Sequence, residues 1–93
     1  MPWKKVNLKR WASEMGVDLY EIDQKLKLRE KIVALRKELG WTQEELARRA
    51  NISRSRVAQI ETGVRLHKMS FDILFRVLQA LGCQYRISAK RAA

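Results

Sequence analysis

Arg54, Ser55, Arg56 and Gln59 stand close together in the stretch SRSRVAQ, and their side chains suit hydrogen bonding rather than covalent chemistry. A guanidinium presents two parallel N–H donors that match the O6 and N7 acceptors of guanine, and a carboxamide matches adenine N6 and N7 in the same way. Ser55 contributes an adaptable hydroxyl that donates or accepts. Ser53 is a helix N-cap residue, so the cluster opens a helix, and the first turn of a helix can enter a DNA major groove end-on. The chemistry implied is recognition of base edges, with Arg54 and Gln59 as the leading readers. The plain alternatives are a solvated charge beside the cap for Arg54 and ordinary polar helix surface for Gln59. Arg56 has two readings, a base edge or a phosphate reached from the flank.

Such a helix needs a brace. The pattern Thr42-x-x-Glu45 is a capping box that starts a preceding helix, whose apolar face is Leu46, Ala47 and Ala50. Small residues at 47 and 50 let another helix approach closely. Asn51 and Ile52 form a tight connection, since Asn adopts the left-handed conformation at low cost. Val57 and Ile60 then face inward, and Gly63 ends the helix. Phosphate contacts are expected from Gln43, Thr62, Arg65 and Lys68, with an ordinary exposed lysine as the other reading of Lys68. Arg48 and Arg49 are explained by the dipole at the end of their helix.

Further out, Leu28, Ile32, Leu35 and Leu39 step by four, three and four and predict an inward stripe on a helix running from Asp18 to Gly40. Lys25, Lys27, Arg29, Glu30, Lys31, Lys37 and Glu38 then fall mostly on the opposite, solvated face. Ser70 and Asp72 open a last helix, with Phe71, Leu74, Phe75, Val77, Leu78 and Leu81 buried and Gly82 ending it. In the first 20 residues, Leu8, Trp11, Ala12 and Met15 have helical spacing after Asn7, and Gly16 ends that segment. At the other end Cys83, Tyr85 and Ile87 alternate with polar residues, as in a half-buried strand. A lone strand is unstable and no second one is evident, so pairing with its copy in another subunit is the economical solution.

Composition agrees with a polyanionic partner. Twenty Lys and Arg against ten Asp and Glu leave a formal net charge of +10, and neutralising phosphates releases counterions. Between Arg48 and Lys68 six cations face Glu61 alone. One cysteine and one histidine exclude an intrachain disulfide and a structural zinc site, and no cofactor is expected. No nucleophilic constellation or glycine-rich phosphate loop is present, so an enzyme is the weakest class. No apolar run approaches the roughly 20 residues that cross a bilayer, and the start lacks a secretory signal. A cytoplasmic location is expected.

Taken in order, Leu35-Arg36…Gly40, TQEELA, and Ser53, Val57, Ile60, Glu61 and Gly63 resemble the Cro and phage-repressor (Xre) helix-turn-helix family over about residues 28–82. That resemblance implies an all-α, lambda-repressor-like bundle and operator binding. It also places Arg54, Ser55 and Gln59 at base edges, and Gln43 at a phosphate or steadying the recognition helix. It implies an ion pair between Arg36 and Glu61 that locks the first helix to the third. The expected organisation is a basic helical extension at 1–20, the DNA-binding domain at 21–82, and a strand and tail at 83–93. A helix followed directly by a C-terminal strand is similar to bacterial HipB-like antitoxins, and the basic, tryptophan-bearing start is similar to HigA-like ones. This layout implies a homodimer on a palindromic double-stranded operator, with a toxin as protein partner. Trp3 and Trp11 have two readings, local packing or contacts for that toxin. Cys83 reads as a small buried hydrophobe. A stand-alone repressor is the alternative function.

Overall fold

The computed structural model describes residue 10, residues 14–16 and residues 18–84. Among these residues lie four α-helices: α1 (Leu19–Glu38), α2 (Gln43–Ala50), α3 (Arg54–Thr62) and α4 (Phe71–Ala80), with a 3-10 turn at Leu66–Lys68 before the last. The Asp18 carboxylate starts α1 by accepting from the backbone N–H groups of Tyr20 and Glu21. Thr42 Oγ1 starts α2 by accepting from Glu45 N at 3.0 Å, and Ser53 Oγ starts α3 by accepting from Arg56 N at 3.1 Å. These bonds satisfy donors that a helix leaves open at its first turn.

Two expected caps differ in detail. Glu45 was expected to complete a reciprocal capping box, yet its carboxylate receives Arg48 Nη2 at 2.6 Å and Arg49 Nε at 2.7 Å. Those two bonds, Arg48 first, hold its pKa down at about 2. Arg48 and Arg49 thus have specific partners beyond the helix dipole, and Arg49 also stacks its guanidinium 4.3 Å over the Trp41 ring. Ser70 has the extended backbone of an N-cap but makes no side-chain cap bond.

Three helix ends repeat one device. After α1, α2 and α4 the chain passes through a left-handed residue, Gly40, Asn51 or Gly82. The next residue's N–H returns to the helix: Trp41 N to Arg36 O, Ile52 N to Ala47 O, and Cys83 N to Leu78 O. This closure places a hydrophobic residue back against the body it has just left. Trp41, Ile52 and Cys83 are all partly buried against the core. That core joins Ile32 of α1, Leu46, Ala47 and Ala50 of α2, Val57 and Ile60 of α3, Leu66 and Met69 of the turn, and Leu74, Val77, Leu78 and Leu81. Phe71 and Phe75, expected to be buried, are half-buried and stacked with centroids 5.9 Å apart.

The apolar stripe of α1 is a correction. Ile32 is fully buried, Leu28 and Leu35 are half-buried, and Leu39 is 46% exposed because the helix has ended and the chain turns away at Gly40. A second stripe at 25, 29, 32 and 36 has the same steps of four, three and four and also contains Ile32. Lys25, expected in solvent, is 2% exposed. Lys25 and Arg29 turn inward because carbonyl oxygens at the end of α3 and in the following turn receive them.

Arg36 lies on the same stripe. Its Nε donates to Glu61 Oε2 at 2.6 Å, its Nη2 to Glu61 Oε1 at 2.9 Å and its Nη1 to Trp41 O at 2.7 Å. The two side chains are 14% and 8% exposed. Gln43 Nε2 adds a third bond to the carboxylate at 3.1 Å. Elements α1, α2 and α3 therefore meet on one carboxylate.

Burial pushes the Glu61 carboxyl up, but the bonds from Arg36 and Gln43 outweigh it and hold the pKa below the ordinary 4.5. The folded state binds that proton less readily than the unfolded chain. The stabilisation is complete above about pH 4.5 and fades as pH falls through the lower folded value. Glu61→Gln leaves Arg36 without its counter-charge while keeping one acceptor, so we expect a loss of about 3 kcal/mol at pH 7. Urea unfolding should show that loss together with a flatter acid limb than wild type. Unchanged stability and an unchanged acid limb would mean that the carboxylate does not lock these helices.

Candidate nucleic-acid interface

The outer surface of α3 follows from what is buried on it. Val57, Ile60 and Glu61 face the body of the protein, and at about 100° per residue this leaves Ser55, Gln59 and Thr62 on the far side with Arg54 and Arg56 on the flanks. Ser53 to Arg56 are all exposed and Gln59 is half-buried. The four N-terminal residues thus form a polar tip at the positive end of the helix dipole, where anions are favoured.

A concavity of about 170 Å³ opens beside this surface. Arg56 and Gln59 form one wall, Arg65 and Lys68 the other, and Met69 lies with them. The structure therefore brings two expected base readers together with two expected phosphate contacts, while Arg54 and Ser55 remain on the helix tip. No acidic residue lines the concavity. Among the described residues the side chains of Arg54, Arg56, Arg65 and Lys68 make no hydrogen bond or ion pair. Their charges are available to an external partner.

Arg65 is held in the left-handed region at φ 59° and ψ 15°. A non-glycine residue pays roughly 1 to 2 kcal/mol for that conformation, so the surrounding contacts impose it. Leu66, buried in the core, and Gly63 N–H, bonded to Ile60 O, fix the chain on either side. This geometry sets the cationic wall at an angle to α3 instead of letting it continue the helix.

Two expected phosphate contacts have internal work. Thr62 Oγ1 donates back to Ala58 O at 2.9 Å, with Gln59 O at 3.3 Å. The proton that a phosphate oxygen would need is shared with helix carbonyls in this rotamer. Gln43 gives one amide N–H to Glu61, which leaves its other N–H for an outside acceptor.

Several expectations fall elsewhere. Trp3, Trp11, Tyr85 and Ile87 lie outside the described residues. Cys83, expected to begin a strand, and Gln84 carry no regular secondary structure. Cys83 is instead the hydrophobic closing residue of α4 and is half-buried. His67 is exposed and contributes its backbone carbonyl to Lys25 Nζ at 3.3 Å. No three His, Cys, Asp or Glu side chains gather as metal ligands among the described residues. No helix there is long and apolar enough to cross a membrane.

Lys25 and Arg29 are the residues that reading by hydrophobicity missed. Lys25 Nζ pairs with Glu21 Oε1 at 2.8 Å and lies 5.3 Å from the Phe71 ring centroid, and Arg29 Nε donates to Glu61 O at 2.6 Å. The signal was present in the helical spacing of 25, 29, 32 and 36. It was hidden because a cation is assigned to solvent by default, and its carbonyl partners lie more than 30 residues away in sequence.

Comparison with known proteins agrees with this geometry. A family model described as helix-turn-helix matches residues 32–87, more than half of the chain. No curated protein and no solved structure matches it significantly. The match spans the end of α1, the braced pair α2 and α3, the turn and α4, the same elements that hold the polar tip and the cationic concavity. The chain belongs to the Xre-type (Cro/C1) helix-turn-helix family, a family of DNA-binding regulators of transcription.

Proposed function

We propose that the chain is a sequence-specific operator-binding repressor that acts as a dimer, and that it is the antitoxin of a type II toxin–antitoxin system. The observation that carries operator reading is the exposed tip of α3, where Arg54 and Ser55 stand without internal partners beside a cationic concavity. In this reading Arg54, Ser55 and Gln59 address base edges in the major groove. Arg65 and Lys68 grip the backbone alongside, and Gln43 adds its free N–H at the start of α2. Arg56 is assigned to phosphate, because it shares the concavity with Arg65 and Lys68 rather than the outermost face with Ser55. A palindromic site with half-sites about 34 to 36 Å apart follows from two-fold pairing. Pairing of Tyr85 and Ile87 with their copies supplies the dimer contact in this reading.

The antitoxin reading draws on the start of the chain. Met15 and Leu26 are exposed large apolar side chains that line one groove beside α1, and neither belongs to the DNA-facing set. Exposed apolar groups that share a groove favour a protein partner. Trp3 and Trp11 belong to the same end of the sequence and are assigned to toxin contact.

Arg54→Ala should relax base preference at its position, at a cost of about 1 to 3 kcal/mol on the preferred site. Arg65→Ala should lower affinity on all duplexes alike and reduce the slope of log K against log salt by about 1 per protomer. Selection from a random duplex pool followed by salt titration measures both effects. An unchanged preferred site and affinity after Arg54→Ala would remove it from the readers.

Joint expression with the product of the neighbouring gene tests the partner. A complex that co-purifies and is lost on Trp3→Ala or Trp11→Ala supports the antitoxin. A full-length neighbour that does not associate leaves a stand-alone repressor.

A further inference from the structure

The family match begins at residue 32, whereas α1 begins at Leu19. The earlier part of this helix lies outside the matched domain, yet two of its side chains cross to the DNA-facing elements. Arg29 Nε donates to Glu61 O, a carbonyl of the last turn of α3. Lys25 Nζ donates to His67 O, inside the 3-10 turn between Arg65 and Lys68. The buried ammonium is held in place by Glu21 Oε1 at 2.8 Å and the Phe71 ring.

Leu66 and Met69 anchor the inner side of this turn in the core. On its outer side a groove of about 280 Å³ opens beside α1, lined by Met15, Ile22, Leu26 and Gly63 together with Lys25 and His67. Where side-chain volume is missing, position depends on the polar links that cross the gap. Arg65 meanwhile sits in a conformation that a free arginine would leave.

We propose that Lys25 and Arg29 are positioning residues, and that the early part of α1 braces the 63–69 turn so that Arg65 and Lys68 meet the DNA backbone. This inference rests on the reading of those two cations as backbone contacts. Lys25 and Arg29 themselves touch no DNA. They act by fixing the carbonyls at Glu61 and His67, which set the direction of the strand of chain bearing Arg65.

The test uses the full-length chain and a duplex selected from a random pool, at a temperature where every variant is folded by circular dichroism. Lys25→Met keeps a long apolar stem in the same space, and the carboxylate it leaves behind, Glu21, is 45% exposed and can be hydrated instead of stranded. It should keep its Tm and still bind about tenfold more weakly. Arg29→Met should bind more weakly to a similar extent, and Arg29→Lys should restore most of the loss. Amide exchange at residues 65–68 should accelerate in Lys25→Met while α2 stays protected.

The deciding measurement is the combination with Arg65→Ala and Lys68→Ala. In that background Lys25→Met should have no further effect on affinity, because the groups it positions are gone. Additive losses, or wild-type affinity in both Lys25→Met and Arg29→Met, would overturn the brace while leaving Arg65 and Lys68 as contacts. If Arg65→Ala with Lys68→Ala bound as tightly as wild type, the backbone reading would itself fail and the brace with it.

Discussion

A carboxylate in a chain of net charge +10 has counter-charge available anywhere on the surface, yet Glu61 is buried. Its position is set by what it joins. Arg36 of α1 holds both oxygens, Gln43 at the start of α2 holds one of them, and the carboxylate belongs to the last turns of α3. Two donors approaching in a fixed fork allow little rotation of the acceptor, so the bond fixes direction as well as distance. A recognition helix nine residues long is too short to be stable alone, and its aim is defined by its anchorage. The same guanidinium also holds Trp41 O, so the chain reversal that leads into α2 is tied to the group that orients α3. One arginine thereby sets both members of the braced pair relative to α1.

The helix ends work toward the same result by a different route. A left-handed residue followed by a returning N–H reverses the chain within two residues, and the hydrophobe that follows drops onto the core. At Asn51 this makes the tight connection between α2 and α3, with Ile52 as the inserted hydrophobe. Small residues Ala47 and Ala50 on the buried side of α2 keep α3 close. The turn and the small side chains together hold α2 and α3 close.

Legibility in the sequence followed the range of the interactions. Helix starts at Asp18, Thr42 and Ser53, and ends at Gly40, Asn51, Gly63 and Gly82, depend on residues within five positions of each other and were readable. The core positions of α2, α3 and α4 were readable because their apolar residues are unambiguous. Arg36 and Glu61 were paired through a family resemblance, since nothing local connects residues 25 apart. Lys25 and Arg29 escaped because their burial depends on carbonyls that only the assembled turn presents. Glu45 was misassigned for the opposite reason: two competing local partners existed, and charged arginines at i+3 and i+4 make stronger bonds with a carboxylate than a backbone N–H does.

The pairing of acids also explains how a uniformly basic composition becomes a directed surface. Glu21 meets Lys25, Asp23 meets Lys27, Glu45 meets Arg48 and Arg49, and Glu61 meets Arg36. Each of these acids compensates cations of α1 or α2, including Glu61, which reaches inward from α3. The outer side of α3 and the turn after it receive none. Arg54, Arg56, Arg65 and Lys68 therefore carry charge that the fold does not internally offset, within a stretch of fifteen residues. Clustered charge of one sign gives a stronger local field than the same charge spread evenly, and it draws a polyanion to one face. The orientation of the encounter thus comes from where the acids were placed, while the anchored direction of α3 determines what the tip meets on arrival.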